Sequence, residues 1–132
     1  MNEADPFNLE RFVEAQDHGV HAQALAELDA GRKCSHWMWF IFPQHADLGR
    51  SPTAKRFGLT GVAEARAYLD QPLLGNRLMA CCDAILPHLR RGARADDILG
   101  AIDAMKLRSS MEIFAAARPD EYRFKEILGL LG

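Results

Sequence analysis

Six consecutive residues, Trp37-Met38-Trp39-Phe40-Ile41-Phe42, carry only apolar side chains. Neither a helix nor a strand made of them would turn a polar face to water, and a segment that is hydrophobic on all sides is normally buried. We therefore predict that this aromatic segment, residues 37–42, lies at the centre of the core. Pro43 disfavours the α conformation at the residue before it, so a helix in this segment is expected to end near Ile41.

Helical spacing of apolar residues dominates the rest of the chain. No stretch shows sustained apolar-polar alternation, and no Asn-Gly hairpin signal occurs. The apolar faces include Leu9, Phe12 and Val13; Ala24, Leu25 and Leu28; Val62, Ala65 and Leu69; Leu74, Leu78, Cys81, Ile85 and Leu89; Leu107, Met111 and Phe114; and Phe124, Ile127 and Leu128. The pattern predicts one all-α domain over residues 1–132, with about seven helices around the central aromatic segment.

Several residues are typical of helix ends. Pro87 lies within the long apolar stripe of residues 74–89, so that helix is expected to end near Ile85 or to kink. The predicted starts and stops are Asn8, Thr60, Asp103 and Asp120 as amino-terminal caps, Ser51-Pro52 as a start, Gly31 as a left-handed stop and Gln71-Pro72 as an end.

The distribution of charged residues limits which classes of binding partner we expect. The formal net charge is −2, but residues 32–56 contain five basic side chains and one acidic one, on both sides of the aromatic segment. This pattern is compatible with an anionic ligand and with a solvated basic face. No long basic stripe and no known nucleic-acid motif occurs, so we expect no nucleic-acid partner.

Signals for export or membrane insertion are missing from the sequence. Residues 1–6 are acidic and polar, unlike a signal peptide, and the strongly apolar run of residues 37–42 is far too short to cross a bilayer. The cysteines Cys34, Cys81 and Cys82 form no C-x-x-C pair and no disulfide framework. We predict a cytoplasmic protein with reduced thiols and no membrane partner.

The segment Ser35-His36-Trp37-Met38-Trp39-Phe40-Ile41-Phe42-Pro43-Gln44 resembles the signature of the bacterial "domain of unknown function 1810" family. Further matching stretches are Ala24-Leu25-Ala26-Glu27-Leu28, Leu48-Gly49-Arg50-Ser51, Glu64-Ala65-Arg66-Ala67-Tyr68-Leu69, Pro72-Leu73-Leu74-Gly75 and Lys106-Leu107-Arg108-Ser109-Ser110-Met111. The resemblance covers nearly the whole chain. It implies an all-α fold and candidate positions, and it implies no particular reaction.

The chain departs from the family's pattern at two places and continues less far at its end. The family usually has a tyrosine shortly after Ala15-Gln16, where this chain reads Asp17-His18-Gly19-Val20, and a threonine where Glu112 stands. It also continues past the final helix, whereas this sequence ends at Gly132. A role for that tyrosine or for the longer end does not carry over to this chain.

The leading functional hypothesis is a polar pocket beside the aromatic segment. On a helix, Ser109 and Ser110 stand three and four residues after Lys106, so the three side chains share a region of the surface. Lysine, hydroxyl, imidazole and amide groups suit a small anionic or nucleotide-like metabolite. The predicted ligand-binding residues are Gln16, His36, Trp37, Trp39, Gln44, Ser51, Lys106, Ser109 and Ser110. The competing interpretation is a surface lysine with small helix-packing serines.

Catalysis on a nucleotide-type substrate is the alternative. His36 would act as general acid or base, and Ser109 or Ser110 beside Lys106 would form a serine-lysine nucleophile. No nucleophile elbow, zinc-protease pair or phosphate loop occurs in the sequence. The five histidines have no strong ligand spacing, so we predict no metal and no cofactor.

An interaction module is a third hypothesis. In that case Trp37, Trp39 and Phe42 would line a groove for a partner helix or peptide. An exposed apolar patch of that size would be unusual on a monomer.

Overall fold

A computed structural model describes residues 4–132, which form nine α-helices and no β-strand. The all-α prediction is confirmed, with more helices than the seven or so expected. The helices are α1 (Glu10–Gln16), α2 (Val20–Ala30), α3 (Met38–Ile41), α4 (Pro52–Arg56), α5 (Val62–Asp70), α6 (Pro72–Arg90), α7 (Ala95–Leu99), α8 (Ala101–Ala117) and α9 (Tyr122–Leu130). A 3-10 turn spans Ala46–Leu48.

The core lies between the long helices. Helix α8 packs on α5, α7 and α9, and α6 packs on α2, α5 and α9. Tyr68 stands at the centre, with its ring 5.1 Å from that of Phe12 and 5.4 Å from that of Phe114. From the aromatic segment, Trp37, Met38, Ile41 and Phe42 are buried in the same core, while Trp39 and Phe40 are half-buried. The predicted central position of the segment is confirmed.

Four of the predicted helix ends are as expected. Helix α5 ends at Asp70, directly before Gln71-Pro72. Ser51 begins α4, since its hydroxyl accepts a hydrogen bond from the Ala54 N–H at 3.1 Å. Gly31 ends α2 in the left-handed conformation, with φ of +77°. Helix α3 ends at Ile41, two residues before Pro43.

The predicted caps at Asn8, Thr60, Asp103 and Asp120 are wrong. Asp5, not Asn8, accepts from the first N–H groups of α1, at 2.7 and 3.0 Å. Thr60 donates its hydroxyl hydrogen to the Glu64 carboxylate at 2.9 Å, and Gly61 precedes α5. The helix containing Asp103 already begins at Ala101, and Glu121 caps the last helix. At α1 and α9 the cap depends on which nearby carboxylate reaches the free N–H groups, which propensity alone does not determine, whereas α5 and α8 begin after glycines that provide no side-chain cap.

Helix α6 does not end near Ile85. It continues through Pro87 to Arg90. Proline has no N–H, so one backbone hydrogen bond of the helix is missing at this turn. The packing of Ile85, Leu86 and Leu89 in the core stabilises the helix there. Helix α7 was not predicted, since five residues are too few to show a helical period.

Arg11 connects the amino-terminal helix to neighbouring parts of the fold. Its guanidinium contacts the Glu64 carboxylate at 2.7 Å, and both side chains are largely buried. It also donates to the carbonyl oxygens of Phe7, Asn8, Arg56 and Gly58, at 2.6 to 3.0 Å. The ion pair therefore joins α1 to α5, and the bonds to the Arg56 and Gly58 carbonyls join α1 to the end of α4 and to the loop after it.

No helix within residues 4–132 has both the length and the apolar character needed to cross a membrane.

Two glycines in helices are expected to respond oppositely to alanine. A Cβ added at Gly75 would lie 2.2 Å from the Leu69 carbonyl oxygen, whereas one at Gly129 would have no atom within 4 Å. Gly75→Ala should lower the free energy of unfolding by about 2 kcal/mol through this clash. Gly129→Ala should raise it by about 0.5–1 kcal/mol, because alanine has the better helix propensity. Urea unfolding measures both, and equal effects would contradict the packing of α5 against α6.

Candidate functional site

A buried carboxylate stands at the amino-terminal end of the aromatic segment. Glu27 of α2 is 5% exposed and accepts five hydrogen bonds from neutral groups. The donors are the backbone N–H of Cys34 (2.7 Å), the backbone N–H of Ser35 (2.9 Å), the Ser35 hydroxyl (2.7 Å), the Trp37 indole N–H (2.9 Å) and the Gln23 amide (2.8 Å). We call Glu27 and these four residues the carboxylate hub.

The hydrogen bonds of the hub keep Glu27 ionised. Burial by itself raises the pKa of a carboxyl group, but the hydrogen bonds from Ser35, Cys34 and Gln23 outweigh it and hold the pKa of Glu27 far below its usual value. No ion pair with a basic side chain is formed by Glu27 within residues 4–132. The hub therefore fixes the entry into the aromatic segment, including the orientation of the Trp37 ring.

Gln16 holds the other end of the segment. Its side-chain N–H groups donate to the Phe40 carbonyl oxygen at 2.8 Å and to the Tyr68 hydroxyl at 3.1 Å. Its side-chain oxygen accepts from the Arg77 guanidinium at 3.3 Å. Gln16 is 2% exposed, so these contacts account for its buried polar atoms.

Two lysines and two tryptophans meet where the segment reaches α8. The Asp103 carboxylate contacts the Lys33 ammonium at 3.0 Å and the Lys106 ammonium at 3.3 Å. Lys33 also lies over the Trp37 ring, 5.2 Å from its centroid, and Lys106 lies over the Trp39 ring at 4.9 Å. We call these five residues the lysine-tryptophan patch. Two ammonium groups and one carboxylate leave it with one positive charge.

The serines after Lys106 differ in their contacts. The Ser109 hydroxyl donates to the Met105 carbonyl oxygen at 3.3 Å, not to the lysine amine. The Ser109 hydroxyl is thus not paired with the Lys106 amine in this arrangement. Ser110 is fully buried one helical turn after Lys106, and its hydroxyl has no hydrogen-bond partner in the described part of the chain.

The remaining predicted residues are dispersed. The His36 side chain is exposed and makes no hydrogen bond to residues 4–132. Gln44 is half-buried, and its backbone carbonyl accepts from the Leu59 N–H at 2.8 Å. The Ser51 hydroxyl is used as the cap of α4. Of the nine predicted ligand residues, the contacts bring Trp37, Trp39 and Lys106 into the patch, with Ser110 beside Lys106 on α8.

Glu27 of the carboxylate hub, and Lys33 and Asp103 of the lysine-tryptophan patch, were not among the site residues predicted from the sequence. Glu27 carries a readable signal, because it falls on the apolar face of α2 between Ala24 and Leu28, where a charged side chain must be buried. Asp103 and Lys33 are 70 positions apart in sequence, and no local pattern connects them.

The cysteines and histidines form no cluster with metal-ligand geometry within residues 4–132. Cys34 is exposed, while Cys81 and Cys82 are buried. Burial raises the pKa of the Cys81 thiol to about 12 and that of the Cys82 thiol well above its usual value.

A surface cavity of about 370 Å³ lies away from the patch. It is bounded by the end of α6, by α7, by α8 and by the end of α9, and Ala104, Met105 and Arg108 form its α8 wall. At 100° per residue these positions lie opposite Asp103 and Lys106 on the helix. None of the ligand residues predicted from sequence lines this cavity.

Fold and geometry together define a small all-α protein whose buried aromatic segment is held by a carboxylate at one end and a glutamine at the other. The chain belongs to the family described as "Protein of unknown function (DUF1810)", whose model matches residues 6–131. The resemblance found in the sequence is thereby confirmed.

A solved structure shares the fold. It is the crystal structure of the conserved hypothetical protein Rv1873 from Mycobacterium tuberculosis, which is 44% identical to this chain with a TM-score of 0.88. The match covers 95% of this chain and 87% of that one. None of the curated proteins matches the sequence. The two matches establish family and fold, and their descriptions mention no ligand or reaction.

Thiol reactivity should follow the burial of the three cysteines. In the native protein, Ellman's reagent should modify Cys34 alone, because only a thiolate reacts and the two buried thiols stay protonated. In denaturant all three should react. Cys34→Ser should leave the native protein unreactive, and rapid modification of a second thiol would contradict the packing around α6.

Glu27→Gln should lower the free energy of unfolding by about 3 kcal/mol at neutral pH, because an amide replaces one acceptor oxygen with a donor that faces other donors. The change should also alter how the free energy of unfolding depends on pH. The pKa of Glu27 is lower in the folded state than in the unfolded chain, so its contribution is complete above about pH 5 and is lost as the pH falls further.

Urea unfolding between pH 3 and pH 7, at about one-unit steps, measures both effects. Between about pH 5 and pH 3, stability should fall less steeply in Glu27→Gln than in the wild type, by up to about 1.4 kcal/mol per pH unit. Glu14→Gln is the matched control, since Glu14 is exposed on α1 and its side chain makes no hydrogen bond within residues 4–132. Parallel pH profiles for Glu27→Gln and the wild type would contradict an ionised hub.

Proposed function

We propose that the protein binds a small anionic ligand with a planar group, of the nucleotide type, at the lysine-tryptophan patch. The observation that carries the proposal is the sharing of one carboxylate by two largely buried lysines. The side chains of Lys33, Asp103 and Lys106 are 9%, 17% and 21% exposed, so their charges are partly shielded from water. An anion here meets a stronger field than it would at a fully solvated lysine.

The charge balance favours an anionic group. Because Asp103 neutralises only one of the two ammonium groups, a phosphate or carboxylate next to Lys106 would complete the pairing. An exposed pair of one lysine and one carboxylate would offer no such surplus. The surplus separates this patch from the other lysines, Lys55 and Lys125, which are exposed and make no ion pair within residues 4–132.

The exposed part of Trp39 favours a planar group. Trp37 is 1% exposed and has its indole N–H in the hub, so it supports the patch from inside the core. Trp39 is half-buried, and Lys106 lies over its ring. The part of the ring that remains accessible is suited to stacking against a base or another flat group.

The proposal includes the cytoplasm as the compartment. Cys34, Cys81 and Cys82 are all free thiols, which persist in a reducing environment.

Isothermal titration with AMP, ADP, ATP, NAD⁺ and inorganic phosphate tests the proposal. At least one nucleotide should bind with a Kd below about 1 mM, and Lys106→Ala should weaken that binding about tenfold through loss of a charged contact. Trp39→Ala should weaken the nucleotide but not inorganic phosphate, because only the nucleotide has a ring to stack.

Lys125→Ala is the matched control, because it removes an exposed lysine of α9 that makes no ion pair within residues 4–132. Its affinity should equal that of the wild type. Thermal unfolding of each variant without ligand separates a loss of binding from a loss of folding. If no nucleotide binds the wild type, or if Lys106→Ala binds as tightly as Lys125→Ala, the proposal is wrong.

A further inference from the structure

The cavity on the other side of α8 has the size of a ligand site. Its volume of about 370 Å³ falls within the range of roughly 300–1,000 Å³ that is typical of small-molecule sites. It is formed by Gly92 and Ala93 after α6, by Arg94 and Asp96 at the start of α7, by Met105 and Arg108 of α8, and by Leu130 and Leu131 at the end of α9. Three separate stretches of the chain, residues 89–96, 104–108 and 130–131, thus close around it.

The polar side of the cavity has a surplus of positive charge. Arg94 faces the Asp96 carboxylate only at 3.8 Å, and the two side chains are 77% and 49% exposed, so their attraction is weak. Arg108 donates to the Leu131 carbonyl oxygen at 3.3 Å and makes no ion pair within residues 4–132. The cavity lining therefore contains two guanidinium groups and one carboxylate, which faces only Arg94, and both guanidinium groups have N–H donors left for a ligand.

The apolar side of the cavity is unusually open to water. Met105 is 71% exposed and Leu130 is 39% exposed, whereas most large apolar side chains of the described chain are buried. Burying such surface away from water is favourable. An alkyl group lying against these two side chains and Leu131 would cover it.

We propose that this cavity binds a medium-chain alkyl carboxylate. The carboxylate would pair with the guanidinium groups of Arg94 and Arg108, which match its planar geometry. The alkyl chain would lie against Met105, Leu130 and Leu131. This site is independent of the proposed nucleotide-type function, since it lies on the opposite face of α8 from Lys106.

Isothermal titration of the whole protein with sodium octanoate tests the proposal, with octan-1-ol and octylamine as ligands of equal chain length. Octanoate should bind with a Kd below about 1 mM. Octanol should bind about tenfold more weakly, because it lacks the charge that pairs with arginine. Octylamine should bind more weakly still, because its charge has the same sign as the guanidinium groups.

Three variants locate the binding. Arg94→Gln and Arg108→Gln should each weaken octanoate about tenfold while changing octanol little. Ala93→Phe should reduce binding of both by filling the cavity from an exposed position, and Ala22→Phe on the exposed side of α2 is its matched control. Should Arg108→Gln disturb the end of α9, Arg94→Gln and Ala93→Phe still decide the question. Lys106→Ala should leave octanoate binding unchanged.

The proposal is overturned if octanoate does not bind, if octanol binds equally well, or if Ala93→Phe binds octanoate like Ala22→Phe. Co-sedimentation with phosphatidylglycerol vesicles distinguishes a free carboxylate from a membrane surface. Vesicle binding that is lost in Ile102→Ala but retained in Ala93→Phe would place lipid on the exposed residues of α8 instead, and would also overturn the proposal.

Discussion

The structure depends first on the hydrogen bonding of one buried carboxylate. An ionised Glu27 inside a helical protein would be strongly unfavourable if it were left unpaired. Five neutral donors, rather than a basic side chain, offset that cost. Because three of the five come from residues 34 and 35 and one from the Trp37 indole, the same bonds that stabilise the charge determine the path of the chain between α2 and α3. A different path would leave the carboxylate unsatisfied.

The position of the lysine-tryptophan patch follows from this path. With residues 34–37 held against α2, Lys33 lies over Trp37 and reaches Asp103 of α8. The Lys33 N–H also donates to the Ile98 carbonyl oxygen at 2.7 Å, which joins the same stretch to α7. On the opposite face of α8 lies the cavity with Arg94 and Arg108. One helix thus carries two cationic surfaces of different character, one beside an aromatic ring and the other beside aliphatic side chains.

Sequence patterns predicted the structure best where a stripe of apolar residues ended at a residue that is typical of a helix end. The stripes of α2, α5 and α8 were recognised, as were the Gly31 stop and the Ser51 cap. Patterns failed where competition between neighbouring polar groups decides the outcome. Asp5 rather than Asn8 caps α1, because the Asp5 carboxylate accepts hydrogen bonds from two N–H groups at once. Pro87 did not end α6, because the packing of the flanking apolar residues holds the helix together across the missing hydrogen bond.

By itself, the sequence determined that the protein is all-α, that residues 37–42 lie in its core and that it resembles one family. Those conclusions follow from local periodicity and from a segment with no polar side, which no fold of this chain could expose without a large cost. Only the tertiary structure decided which polar side chains meet. Gln16 became an anchor for the Phe40 carbonyl, His36 remained in solvent, and Lys106 joined Lys33 through Asp103. Which side chains come into contact depends on how helices that are far apart in sequence pack together. The spacing of residues along one helix contains no information about that packing.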